Sequence, residues 1–205
     1  MIELFVSAFV TFLVVIDPPG CAPIFASLTS AATPAHRRAM ALRSVGIAAG
    51  TLLFFGLLGQ DLLRALGVSL SAFRIAGGIL LFLIAIDMVF EKRTERREAR
   101  AEEVSASKID DVSVFPMAIP MIAGPGSIAS IMLLMARSEG LAASAIVLGA
   151  LLLTLVLTLI ALLLAGPLMR LLGRHMEAML TRLLGVILAA LAVQFVIDGL
   201  KRSFT

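Results

Sequence analysis

The chain has 205 residues, 60% of them hydrophobic and 15% charged, with a net charge of +3 and a mean hydropathy of +1.06. Such apolarity excludes an ordinary soluble domain, and basic residues grouped between apolar runs point to membrane orientation, not nucleic acid. One cysteine, Cys21, and two histidines exclude an intrachain disulfide and a CxxC redox motif, and leave no basis for a zinc or haem site.

In chain order, the apolar runs predict six membrane spans, at about 4–28, 43–62, 70–90, 113–136, 141–166 and 179–199. No basic region precedes the first run, so it is expected to stay as a transmembrane helix. Together the spans predict one transmembrane domain over 1–205, with three spans in 1–90, a charged connector at 91–112 and three spans in 113–205. The connector mixes both signs and continues the helical phase of the third span, which favours a solvated tether between halves.

Twelve of the 17 Lys and Arg fall on one side of this arrangement: Arg37, Arg38, Arg43, Lys92, Arg93, Arg96, Arg97, Arg100, Lys108, Arg170, Arg174 and Arg182. The positive-inside rule puts that side, with the connector, in the cytoplasm and both termini outside it.

The halves repeat. At an offset of 106 positions, Pro19-Gly20 falls on Pro125-Gly126, and Arg64, Leu66 and Gly67 fall on Arg170, Leu172 and Gly173. After a two-residue insertion, Arg74, Gly77, Ile79 and Leu80 fall on Arg182, Gly185, Ile187 and Leu188. Three spans per half force the halves to cross in opposite directions. The predicted fold is therefore all-α, a 3+3 inverted-topology repeat with its first and fourth helices broken at the midplane.

The breaks carry the chemistry. Irregular backbone inside a bilayer survives only where protein or a water-filled cavity satisfies it. In Asp17-Pro18-Pro19-Gly20, Asp17 suits an N-cap and Pro18 the first helical position. A carboxylate there also suits a cation, a proton or a substrate ammonium. In Gly124-Pro125-Gly126-Ser127 no acidic cap precedes the helix, so its N–H groups are expected to attract an anion, unless the break is only a kink. The pair suits a small zwitterion, with its ammonium toward Asp17 and its carboxylate toward Gly126 and Ser127. Arg74, Asp87, Arg182, Gln194 and Asp198 are candidates for a gate or proton relay; snorkelling is the simpler expectation for Arg74 and Arg182, and an interhelical hydrogen bond for Gln194.

The segments IDPPGCAPIFASLT (16–29), RIAGGIL (74–80), IPMIAGPGSI (119–128) and VQFVIDGL (193–200) resemble the MarC family of membrane proteins. The resemblance covers nearly the whole chain. It implies a six-span bacterial inner-membrane protein, similar in plan to LysE-type exporters, with relatives that move small neutral amino acids such as glycine and alanine and for which proton coupling is proposed. Where the family has Asn or Asp before the first Pro, this chain has Asp17.

The function expected from the sequence is secondary transport of a small neutral amino acid or similar metabolite by alternating access, coupled to H⁺ or Na⁺. The partners are the substrate, the bilayer and the coupling ion, with a homo-oligomer left open; no cofactor, metal or nucleic acid is expected. Two alternatives stand beside this reading, an integral-membrane enzyme acting on lipid phosphate and a channel or non-transporting membrane factor.

Overall fold

The computed structural model describes residues 1–106 and 111–204, without the side chains of residues 100, 104–106 and 168–177. Lys108 lies outside the described residues, and Arg100, Arg170, Arg174 and the Leu172 repeat position lie outside the described side chains. Among the described residues the regular structure is helical throughout. Five helical runs are long and apolar enough to cross a bilayer. The first joins α1 (Ile2–Ile16) to α2 (Pro18–Leu28). The next are α3 (Pro34–Ala65), α4 (Leu70–Val89), α7 (Gly140–Leu163) and the Ala178–Phe204 part of α8 (Ala165–Phe204). A sixth results if the segment Ser113–Ile122 and α6 (Pro125–Met135), bent by 52° at their junction, form one span.

Local chemistry sets the helix ends. Thr33 accepts the His36 N–H and Pro34 opens α3, which therefore starts well before the apolar run at 43. Ser69 caps α4 in the same way, through the Ala72 N–H at 3.1 Å. The loop expected between the fifth and sixth spans is instead helical from Ala165 onward, with one residue, Leu164, separating α7 from α8. Helical backbone needs no partner from water, so apolarity alone does not mark where such helices stop.

The connector departs from expectation. It does not continue α4: Phe90 caps that helix and Glu91 takes a left-handed conformation, φ 61°, which redirects the chain into α5 (Lys92–Ala106). Glu91 is held there by Arg182 at 2.5 Å. The turn sends the first two turns of α5 back toward α1, and much of the site depends on it.

α6 is the buried axis of the molecule, with Gly126, Ser127 and all of Ala129–Met135 covered. Lipid tails are as apolar as leucine, so helices in a bilayer associate by close packing, which small residues permit. A Cβ on Gly56 or Gly59 of α3 would come within 2.8 Å of Ile131 or Met132, and one on Gly77 of α4 within 2.9 Å of Leu133. These glycines let α3 and α4 close around α6. α4 runs antiparallel to α8 through a similar contact: a Cβ on Gly78 would lie 2.8 Å from the Ala192 carbonyl oxygen, and one on Gly199 3.0 Å from that of Ser71.

Candidate functional site

At the first break, α1 ends at Ile16 and α2 begins at Pro18. The one residue between them, Asp17, sits in the left-handed region (φ 59°, ψ 66°), which Asp enters more readily than most residues. The conformation turns its carboxylate back over α2, where Oδ1 accepts the Gly20 N–H at 3.2 Å. The capping role expected of Asp17 is present. A Cβ on Gly20 would fall 2.3 Å from Oδ2, so only glycine leaves room for that carboxylate.

Oδ2 is not open to a ligand. It accepts a hydrogen bond from Arg97 of α5 at 3.0 Å, across 80 residues, with side chains 11% and 2% exposed. One helical turn earlier Arg93 donates to the Val15 carbonyl at 2.6 Å and to the Met88 sulfur at 3.1 Å. Val15 is in the last turn of α1, where carbonyls lack helical partners. Arg93 and Arg97 are four apart on one helix face, so together they fasten α5 across the first break. The solvated tether expected of the connector is corrected here: two of its cations turn inward.

Burial lowers the Arg93 guanidinium to about 10, its neighbour Arg97 adding to the shift and Asp17 opposing it. Arg96 faces Asp87 at 2.5 Å. Two of the three arginines are thus paired with carboxylates, and Arg93 bonds instead to neutral acceptors.

The second break is built differently. Gly124, extended at φ −81° and ψ 172°, precedes α6 with no side-chain cap, and Pro125 opens the helix. Before it, Phe115 and Ile119 are extended and the Phe115–Pro116 and Ile119–Pro120 bonds are cis. A Cβ on Gly124 would lie 2.4 Å from the Pro120 carbonyl oxygen. The open amide end expected at Gly126 and Ser127 is therefore present. Ser130, one turn on, has a fully buried hydroxyl without a hydrogen-bond partner among the described residues.

A cavity of about 280 Å³ lies against the second break and the last turn of α1. Gly124, Pro125, Gly126 and Ser127 line it from one side, Val15 and Ile84 from another, and Arg93, Arg96, Arg97 and Asp87 from α5 and the end of α4. The eight residues expected from the sequence divide here. The second-break four line the cavity, while Asp17 reaches it through Arg97, and Pro18, Pro19 and Gly20 form the first turn of α2 behind Asp17.

The five gate candidates also separate. Asp87 joins the cavity. Arg182 pairs with Glu91 at the surface, away from it. Arg74 and Asp198 meet at the other end of α4, where Asp198 pairs with Arg137. Gln194 bonds within its own helix, donating to Asp198 at 2.7 Å, where an interhelical bond was expected. Arg74 is 1% exposed, so the snorkelling expected of it is corrected. The arginines of α5 were not among the candidates; their i, i+4 spacing was the available signal.

No group of three His, Cys, Asp or Glu among the described residues is placed to hold a metal ion. The arrangement can hold a small ligand with an anionic group against the α6 amides and Arg93, and a cationic group wherever the Arg97–Asp17 pair opens.

Comparison with known proteins identifies a family of integral membrane proteins. Residues 2–204 match the family model described as MarC family integral membrane protein. A UPF0056 membrane protein of Methanocaldococcus jannaschii is 38% identical over 98% of this chain and 97% of its own. One from Aquifex aeolicus is 35% identical over 97% and 92%, and one from Bacillus subtilis 33% identical over 100% and 97%. No solved structure matches the chain.

Proposed function

The chain belongs to the MarC family of integral membrane proteins, and from its site we propose that it is a secondary transporter of a small neutral amino acid of the glycine or alanine kind. The observation that carries this reading is one cavity with an uncapped helix N-terminus on one side and, on the other, the Arg97 guanidinium that covers the buried Asp17 carboxylate.

The substrate carboxylate would bind the Gly126 and Ser127 amides, where the helix dipole favours negative charge. Arg93, not paired with a carboxylate, adds to that pole. The ammonium would bind Asp17 by displacing Arg97. Before substrate enters, the arginine fills the ammonium's place and keeps a buried carboxylate from standing unpaired, which would be costly. The cavity volume falls just below the range of drug-sized sites and suits a small ligand.

The seals at the two ends support a reading of alternating access. Toward α5, the cavity is closed by Arg97 on Asp17 and Arg93 on Val15, side-chain contacts whose release would not require a span to move. Toward the other end, α6 is closed in by Gly77 against Leu133 and by Gly126 against Ile84 and Val15. On the positive-inside reading α5 is the cytoplasmic seal, the termini lie outside the cytoplasm, and the membrane is the bacterial inner membrane. Asp17 is the candidate for proton coupling, because protonation would release Arg97; Na⁺ remains the other coupling ion to test.

An inverted 3+3 repeat with midplane breaks is supported by the packing. α1 of the first half packs on α7 of the second, α3 of the first on α6 of the second, and α4 on α8. At the 108-position offset relating Arg74 to Arg182, Gly77 corresponds to Gly185 and Met88 to Val196. A Cβ on Gly78 would meet Val196, and one on Gly185 would meet Met88. Gly78 itself maps to Val186, beside Gly185, so the repeat relates the two contacts to within one position.

The three arginines at the cavity also favour a second reading, an enzyme acting on lipid phosphate. Titration of glycine and alanine binding in detergent separates the two. Binding weakened in both Asp17→Ala and Ser127→Pro supports the zwitterion site; affinity unchanged in both removes it.

A further inference from the structure

A second polar site lies at the other end of α4, independent of the transport reading. Arg74 and Asp87 are 13 residues apart on that helix, about 20 Å of rise. Around Arg74 a cavity of about 370 Å³ is lined by Arg74, Arg137, Asp198, Lys201 and Arg202. Among the described lining residues, four are cationic and one is a carboxylate.

Among the described residues, Arg74 and Arg137 have few partners. Asp198 is committed to Arg137, and it also accepts from Gln194 at 2.7 Å. Arg137 lies over the Phe195 ring at 4.4 Å, which fixes its plane beside the cavity. Arg74 is 1% exposed, and its described hydrogen bond is one contact of 3.3 Å to the Ala136 carbonyl, at the end of α6. Its Nε is buried with no hydrogen-bond partner among the described residues. That carbonyl end attracts cations, which explains why one arginine stays there. It does not explain a second guanidinium on Asp198 and a third, Arg202, at the rim. A buried guanidinium with an unmet donor is costly, and the surrounding charge makes the cost larger.

We propose that this cavity binds a phosphate-type oxyanion, with Arg74 as its buried anchor and Arg202 and Lys201 at its mouth. Guanidinium forks match the oxygens of such a group, and three arginines converge on this cavity. A free phosphate and the headgroup of an anionic phospholipid present the same chemistry here, and the position at the ends of α4 and α8 admits both.

The test uses the full-length protein in a maltoside detergent and reads thermal unfolding. Inorganic phosphate at low millimolar concentration is one arm; short-chain phosphatidic acid, against short-chain phosphatidylcholine as control, is the other. Saturable stabilisation is expected in at least one arm, about 5 °C when ligand far exceeds its dissociation constant. Phosphate acting alone identifies a soluble ligand; phosphatidic acid acting without phosphate identifies a lipid. Arg74→Gln and Arg202→Gln should each reduce the shift by more than half, while Arg64→Gln, an exposed arginine paired with Asp61 on α3, should keep it. Arg202 is exposed, so its variant remains informative if Arg74→Gln does not fold. No saturable shift in either arm, or one that persists in Arg202→Gln, overturns the proposal.

Discussion

Removing the charge of Arg97 should destabilise the protein and unlock the cavity together. In Arg97→Gln, Asp17 loses the guanidinium on Oδ2 and keeps the Gly20 N–H on Oδ1. Stranding one member of a buried ion pair costs about 3–5 kcal/mol. Arg97 is 11% exposed and borders a cavity, so water can partly replace it, and about 3 kcal/mol is the expected loss. For a chain of this size that corresponds to roughly 6–12 °C in the unfolding midpoint.

Asp17→Asn preserves the cap acceptor and removes only the charge, leaving Arg97 nearer to water, so about 2 kcal/mol is expected. With the pair the source of both losses, the double variant should recover about 2 kcal/mol of their sum. Thermal unfolding of the four detergent-purified proteins measures this coupling. Alkylation supplies a second readout, because the sole cysteine, Cys21, lies beside the break with Sγ 3.4 Å from the Ile16 carbonyl oxygen. Its reaction with N-ethylmaleimide below the unfolding transition should be faster in Arg97→Gln. Additive losses, with a coupling below about 0.5 kcal/mol, together with unchanged alkylation, would refute the reasoning.

Gly78→Ala should lower stability by about 1–3 kcal/mol by pressing a methyl against the Ala192 carbonyl of α8, whereas Gly46→Ala, with open space around it, should be neutral or stabilising in the same unfolding assay. The Asp111 carboxyl is held below its ordinary 3.8, first by the Ser113 hydroxyl and N–H and then by Arg43. A carboxyl with a lowered folded-state pKa contributes stability above its unfolded value, and that contribution is lost as pH falls through the folded one. The unfolding midpoint should therefore drop on acidification below about pH 4, and less so in Asp111→Asn; equal acid profiles count against the assignment. Arg93→Gln should weaken amino-acid binding by removing one cation from the carboxylate pole, and unchanged affinity in a detergent titration would take Arg93 out of the site.

The half-helix ends were legible because Pro, Gly and Asp state their backbone requirements locally. Asp17-Pro18 announced a cap and a helix start, and Gly124-Pro125 a start without a cap; both are present. Span limits were less legible. Hydropathy locates the apolar stretch of α3, while the helix extends back through Arg37 and Arg38 to a Thr-Pro cap. The closure of the cavity was not legible as a contact. It depends on Glu91 adopting a left-handed conformation, and nothing in a run of mixed charges distinguishes that turn from continued helix. Arg74 reads as an interfacial arginine until α6 and α8 are placed around it. Long-range pairs such as Arg97–Asp17 and Arg137–Asp198 belong to the packing, and a charge pattern offers too many partners to select them.

Counterflow in proteoliposomes tests the central claim most directly. Vesicles containing the purified protein and loaded with unlabelled substrate would be exposed to a panel of labelled small amino acids. The account expects accumulation of at least one small neutral amino acid, strongly reduced in Asp17→Ala. Accumulation of none of the panel by a folded, correctly inserted protein would contradict it.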